Sequence, residues 1–262
     1  MYLLREIFEA HGGYNHWHSI DKIILKLRFH GLAFASKLNR SGLLERDVEV
    51  YAKRCKVIFH DYPVKGYTGY FENDVVWIED RDGTRIKHFT NYRNSFSALQ
   101  KTFFWNSTDL LYFAGYALWN YINLPFLLGN EGVSILSESS WNEGKETLYK
   151  LTAKFDNFIP THCQEQSFYF DKDLLLVRHD YCPEIFSPYA KAAHYIWDYR
   201  DIDGLKIPFK RKVLPRMKDG TTKPWPKMVW IDITKAGIEY TQNKNKHVNH
   251  YDGRLQTDYH QA

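Results

Sequence analysis

Side chains able to move a proton crowd two short stretches of this sequence. The first runs Arg178-His179-Asp180-Tyr181, the second Ala193-His194-Tyr195-Ile196-Trp197-Asp198-Tyr199. A histidine titrates near neutrality, a carboxylate can orient it, and a tyrosine hydroxyl can donate to a developing oxyanion. If the stretches are successive antiparallel strands, His179 or Asp180 comes close to His194 or Tyr195. Alternation puts Leu175, Val177, His179 and Tyr181 on one face of the first strand, with Leu174, Leu176, Arg178 and Asp180 on the other. On the second it opposes Tyr195, Trp197 and Tyr199 to His194, Ile196 and Asp198. The connection is too long to fix the register, so the pairs that meet stay open. His179, Asp180, Tyr181, His194, Tyr195 and Asp198 are the candidate catalytic residues. The competing reading is an ordinary strand surface with polar cross-strand pairs, such as Arg178 with Asp198.

A second polar group is His11, His16 and His18 around Trp17. His-x-His could chelate a metal on an extended strand, where positions two apart share a face. A helical turn over 15–20 separates these rings instead, and no metal is expected. Gly12-Gly13 reads as backbone punctuation, since no GxxxxGK(S/T) or GxGxxG pattern surrounds it. GxSxG and HExxH are absent from the sequence as well. Cys55, Cys163 and Cys182 have neither CxxC nor zinc spacing, so the expected cofactor set is empty.

The elements that must carry these groups follow from periodicity. Residues 2–10 place Leu3, Leu4, Ile7 and Phe8 on one stripe of a short helix that ends at the glycine pair. Residues 23–29 alternate Ile, Leu, Leu and Phe with Lys26 and Arg28, the pattern of a half-buried strand. Residues 48–62 continue in the same style. Residues 75–79 and 85–88 flank an Asp-Gly turn and read as a hairpin. The period then changes: 96–104 reads as helical, and Ser107-Thr108-Asp109 offers cap side chains to a longer helix over 110–123. Its apolar residues lie nearly all round, so it belongs in an interior or against a sheet. Pro125 and Gly129 close it. Strands resume at 133 and succeed one another through short turns up to 234, as an antiparallel meander. The expected class is α+β, mainly β with helices, as one domain over 1–262. It carries a helical insertion near 96–128 and a loosely ordered tail from about 242.

Composition agrees. Hydrophobic residues make up 44% of the 262 and aromatic residues 17%, enough for a packed core and for the walls of an apolar cavity. Net charge is +4 from 35 basic and 31 acidic residues. The densest basic stretch, 206–216, reads as the solvated face of a strand, and no nucleic-acid partner is expected. Arg5 and Glu6 interrupt the apolar stretch a signal peptide needs, and Asn120 and Asn123 interrupt the most apolar window. The expectation is a cytoplasmic protein without a transmembrane segment.

The sequence also resembles a poorly characterised group of bacterial proteins. The likeness lies in His11-Gly12-Gly13 with Trp17 and Ile20, and in Tyr169-Phe170-Asp171, Leu174-Leu175 and Arg178-His179-Asp180-Tyr181. It continues through Ala193-His194-Tyr195, Asp198-Tyr199, Gly204-Leu205, Pro208 and Arg211. That group is similar in expected fold to the LolA/LolB lipoprotein-carrier superfamily. The resemblance implies an open half-barrel of antiparallel strands closed on one side by helices, with a cavity for acyl chains or other apolar molecules. This chain lacks the lipobox cysteine of a lipoprotein.

Three functions compete. The first is binding or sequestration of a lipid-like or aromatic small molecule, with Trp77, Phe113, Trp119, Trp197 and Tyr199 as wall residues. The second is a cofactor-independent biosynthetic enzyme (cyclase, isomerase or hydrolase) acting on a hydrophobic substrate. There His179 or His194 moves the proton, Asp180 or Asp198 orients it and Tyr181 or Tyr195 serves the oxyanion. The third is a protein-interaction module using a sheet edge or the middle helix.

Overall fold

The computed structural model describes residues 2–32, 45–97, 101, 104–241 and, as backbone, 249–252. Helix α1 (Tyr2–Ala10) and the short α2 (Tyr14–Ser19) precede β1 (Ile20–His30), and Gly12 and Gly13 between them have φ of 115° and 88°. A Cβ on Gly12 would sit 2.4 Å from the carbonyl oxygen of Gly204, so only glycine fits this crossing. On β1, Ile23, Leu25, Leu27 and Phe29 are buried, as their spacing requires. Lys22, Lys26 and Arg28 lie on the opposite face and pair with Glu49 and Glu45 of the neighbouring strand.

The strands β2 (Glu45–Tyr51), β3 (Lys56–His60), β4 (Thr68–Glu72), β5 (Val75–Glu79) and β6 (Arg85–Phe89) form the first half of a single sheet. Residues 48–62 are thus a hairpin and not one strand. The chain reverses at 52–55, where the Lys56 amide donates to the Arg54 carbonyl at 2.7 Å. The second half comprises β7 (Val133–Glu143), β8 (Glu146–Phe155), β9 (Glu165–Phe170), β10 (Leu176–Tyr181), β11 (Ala192–Ile202), β12 (Leu205–Pro215) and β13 (Val229–Tyr240). Strand order is β6-β5-β4-β3-β2-β1-β13-β12-β11-β10-β9-β8-β7, and every pairing is antiparallel. Two meanders are therefore joined where β1 pairs with β13, from Ile20 opposite Tyr240 to His30 opposite Trp230. A short β14 (Asn249–Asp252) adds to β13; the rest of the expected tail lies outside the described residues. Among the described residues β6 and β7 are free edges, so the curved sheet stays open.

The helix α3 (Ser107–Asn123) fills the concave side. Every residue from Thr108 to Asn123 is buried, which explains the all-round apolar pattern. Its N-cap is Asn106, one residue ahead of the expected Ser107-Thr108-Asp109. The Asn106 side chain accepts from the amides of Thr108 and Asp109 at 2.8 and 3.0 Å. Asp109 returns the contact to the Asn106 amide at 2.8 Å. The helix ends at Asn123 because Leu124 precedes Pro125 and is held extended, with a 3-10 turn following at Phe126–Gly129. Ahead of α3 the expected helix over 96–104 is a 3-10 turn, Tyr92–Ser97; residues 98–100 and 102–103 lie outside the described ones.

Helix and sheet meet closely at Gly115, where an added Cβ would sit 2.4 Å from Phe71 Cβ on β4. Replacement of Gly115 by alanine gains about 1 kcal/mol of helix propensity, and overpacking costs about 1–3 kcal/mol. A net loss of stability is expected in urea denaturation of Gly115→Ala. A stabilised variant would show that α3 does not seat on β4 as described.

Candidate functional site

The register of the second meander decides which polar groups meet. His179 on β10 lies directly opposite His194 on β11, His179 is paired with Phe168 on β9, and His194 with Val213 on β12. Alternation turns this row inward beneath α3. Tyr181 belongs to the next inward row, facing Ala192. His179, His194 and Tyr181 thus share the concave face, at 0%, 0% and 3% exposure.

Asp180 and Tyr195 are on the other face. There Arg178 grips Asp180 through Nε at 2.8 Å and Nη2 at 2.9 Å, and also donates to Glu143 and to the Gly220 carbonyl. Tyr169 donates to Asp180 at 3.0 Å, and Tyr195 to Glu143 at 2.8 Å. Asp198 has a φ of 59° within β11 and pairs with Arg200 at 3.1 Å. Neither carboxylate bonds to an imidazole of the inner row: the pleat turns Asp180 away from His179, whereas Asp198, in phase with His194 by alternation, departs from the extended backbone and is engaged by Arg200.

The partners of the inner row come from the loop before β9 and from α3. His162 is fully buried and stacks on Tyr181 with ring centroids 3.9 Å apart. The Tyr116 hydroxyl lies 3.1 Å from its Nδ1 and the Tyr121 hydroxyl 2.9 Å from its Nε2; Tyr121 in turn lies 2.5 Å from the Tyr181 hydroxyl. Since a neutral imidazole carries one proton, one of these tyrosines donates to His162 and the other accepts. Gln166 donates its amide to the Thr161 hydroxyl and, at 2.7 Å, to the Cys163 carbonyl, leaving its oxygen to accept from His179 Nε2 at 2.6 Å. That fixes the proton of His179 on Nε2 and leaves Nδ1 a buried acceptor without a partner among the described residues. Both nitrogens of His194 are in the same position.

Arg211 completes the cluster from β12. It is 2% exposed, donates through Nη2 to the Tyr121 carbonyl at 2.9 Å, and its Nε has no partner among the described residues. Burial dominates the electrostatics of the group. It holds His162 and His194 well below the usual imidazole range and brings His179 down to about 3, with the Arg211 charge adding to it at His179 and His194. Tyr121 and Tyr181 are pushed up by burial and stay protonated. Imidazoles this weakly basic accept hydrogen bonds without taking up protons near neutrality, an arrangement suited to polar recognition.

Above the cluster is an apolar pocket of about 220 Å³. Tyr121, His162 and Tyr181 form its polar inner side, Phe113, Phe186, Val213, Leu214, Met228 and Val229 supply apolar walls, and Lys191 and Arg216 also line it. Its mouth lies between the 182–191 and 216–228 connections, tied together where the Arg216 amide donates to the Lys191 carbonyl at 2.9 Å. These connections leave Tyr189 and Trp225 exposed at 91% and 73%.

Of the expected wall residues, Phe113 lines this pocket. Trp119, on α3, is buried in the core and does not line the pocket. Trp77 stacks on Tyr70 at 4.7 Å and donates to Glu79, and Trp197 packs edge-on against Trp230 beside Lys212, away from the pocket. Tyr199 donates to the Leu176 carbonyl at 2.8 Å and meets His11 edge-on. The amino-terminal histidines do not converge. His11 donates from Nδ1 to the Ile7 carbonyl and accepts the Leu176 amide at Nε2, His16 contacts Tyr240, and His18 meets Tyr14.

Sequence reasoning passed over His162, Gln166, Tyr116 and Arg211 as site residues and took Tyr121 only for the apolar stripe of its helix. For Arg211 a signal existed: it is in phase with Ile207, Phe209 and Val213, all buried, and not with Lys206, Lys210 and Lys212. The reading of 206–216 as a solvated face fails at that residue. His162 sits in a loop, where no periodicity betrays burial.

No protein-family model and no curated protein matches the sequence. Among solved structures the chain is similar to a LolA superfamily protein from Nitrosomonas europaea, with a TM-score of 0.50. The match has 10% identity and covers 91% of this chain and 94% of that one. A domain from Vibrio parahaemolyticus, described as an outer membrane lipoprotein-sorting protein, has a TM-score of 0.48 at 10% identity over 93% of each chain. A DUF1329 family protein from Desulfovibrio piger has a TM-score of 0.43 at 13% identity over 91% and 93%. The fold is LolA-like, as the resemblance in sequence implied: an open curved antiparallel sheet with helices on its concave side.

Buried neutral histidines give acid sensitivity a definite sign. His162, His179 and His194 are held below their unfolded value, and burial brings His11 down to about 4. Their contribution to stability is complete above about pH 6.5 and is lost as pH falls below it, down to about 4 for His11 and about 3 for His179. Unfolding should then take up about four protons near pH 5. Denaturation across pH 7.5 to 4.5 measures this. His194→Phe should lower the uptake by about one proton and raise stability at pH 7, because two unpartnered nitrogens are removed. An unchanged uptake would mean that His194 is protonated in the folded protein.

Proposed function

We propose that this chain binds an apolar small molecule in the pocket between α3 and the strands β10 to β13. The observation that carries this reading is the pocket itself, a mainly apolar enclosure on the concave side of the sheet, with Tyr121, His162 and Tyr181 gathered on its inner side and Lys191 and Arg216 toward the connecting loops. Few, convergent polar groups in an apolar cavity orient a ligand and select it, while the walls supply affinity through buried area. The LolA-like fold supports the reading, since the resemblance implies a cavity for acyl chains or other apolar molecules.

The inner row favours binding over proton transfer. The carboxylates that an acid–base mechanism needs, Asp180 and Asp198, are committed to Arg178 and Arg200 away from the imidazoles. A guest would enter between the connections that carry Tyr189 and Trp225 and settle against Phe113 and Phe186. Nothing in this pathway requires a metal or an organic cofactor.

Ala190 is at the rim, where a larger side chain can be added at little cost to the core. The wild-type protein is expected to bind the neutral probe N-phenyl-1-naphthylamine with a rise in its fluorescence. Ala190→Trp should weaken that binding at least tenfold while unfolding at nearly the wild-type urea concentration. Equal binding by both proteins would place the probe elsewhere, and no binding by the wild type would contradict the pocket reading.

A further inference from the structure

Two arginines are buried within this fold, on opposite faces of the same sheet. Arg178, 1% exposed, is fully engaged with two oxygens of Asp180, with Glu143 and with the Gly220 carbonyl. Arg211, 2% exposed, donates to the carbonyl of Tyr121 and makes no ion pair among the described residues. Its cross-strand neighbours are Ile196 and Ile231. The groups that act on it electrostatically are the phenols of Tyr199, Tyr121 and Tyr181, and burial lowers its pKa to about 10, which leaves it cationic at neutral pH.

A guanidinium in an apolar interior without a counter-ion is costly, and structures keep one where an anion meets it. The neighbouring groups point the same way. His194, one pair along on β11, is fully buried with both nitrogens unpartnered, and its neutral ring offers one N–H. Tyr121 bridges this pair and the pocket: its ring packs 4.2 Å from His194 and 5.9 Å from the Arg211 guanidinium, and it lines the pocket.

We propose that the guest is an amphiphilic monoanion, a carboxylate on an apolar chain, whose head pairs with Arg211 and His194 beside Tyr121. This rests on the pocket reading above and adds the ligand's head group to it. Within the buried cluster Arg211 is the one charge among the described residues and matches one negative charge; Lys191 and Arg216 line the pocket further out, at the 182–191 and 216–228 connections, and Arg216 already pairs with Asp180 at 3.4 Å. A dianionic phosphate would leave an excess charge in the same apolar volume, at the cost that burial imposes. The planar fork of Arg211 accepts a carboxylate with two parallel bonds, and the chain then runs outward among Phe113, Val213, Phe186 and Met228.

Calorimetric titration of the full chain at pH 8 with decanoate, 1-decanol and decyl phosphate tests this. Decanoate should bind at least tenfold more tightly than decanol and more tightly than decyl phosphate, and Arg211→Met should bring decanoate and decanol within about twofold of each other. Arg211→Lys keeps the charge without the fork and should retain part of the preference. If these variants do not fold, the wild-type preference is read together with the side-chain nitrogen resonances of His194, which decanoate should shift and decanol should not. Equal affinity for decanoate and decanol would overturn the proposal while leaving the pocket reading intact. Binding of none of the three would count against the pocket itself.

Discussion

The structure turns on the burial of one helix in the hollow of one sheet. A helix apolar on every side cannot lie on a surface, and an open sheet of this width cannot leave its concave face in water. α3 satisfies both by running through the concavity, with Gly115 letting its backbone come up to Phe71. The pairing of β1 with β13 makes this possible, because it joins two meanders far apart in sequence into one wall around the helix.

The polar cluster is a consequence of that arrangement. With the helix in place, the carbonyl of Tyr121 and the hydroxyls of Tyr116 and Tyr121 face the inner rows of β9 to β12. Tyrosine hydroxyls and the Gln166 amide satisfy His162 on both nitrogens and His179 on one, the pleat sends Asp180 to the other side, and Asp198 is taken up by Arg200. What remains is a small group of neutral donors and acceptors with one cation beside an apolar pocket. Stability alone does not call for it, since aromatic hydrocarbon in place of His194 would fill the same space without unpartnered nitrogens.

Much of the frame was legible in the sequence, for physical reasons that can be named. Alternation identified β1, and an Asp-Gly turn marked the hairpin of β5 and β6. The all-round apolar pattern of 110–123 announced a buried helix. The cap at Asn106 was missed by one residue because Ser, Thr, Asp and Asn are interchangeable in composition and distinguished only by backbone geometry. The strand β4 was missed because Thr68-Gly69-Tyr70-Phe71-Glu72 is only five residues long and one of its two inward positions is Gly69, which leaves Phe71 alone to mark the period. At the site, alternation rightly separated His179 and Tyr181 from Asp180. The register that sets His179 opposite His194 depends on a connection of residues 182–191, whose geometry no local pattern encodes. His162 and Tyr121 enter through tertiary contacts with a loop and a helix. Aromatic residues were a poor guide to the walls, because Trp77 and Trp197 stack on the outer face with Lys and Arg side chains.

The most direct measurement is native mass spectrometry of the purified chain, followed by denaturation and extraction of whatever small molecule it carries. The account predicts one apolar guest per chain, released on unfolding and absent from the Ala190→Trp variant. A chain that carries no guest and takes up no apolar molecule when offered one would contradict it.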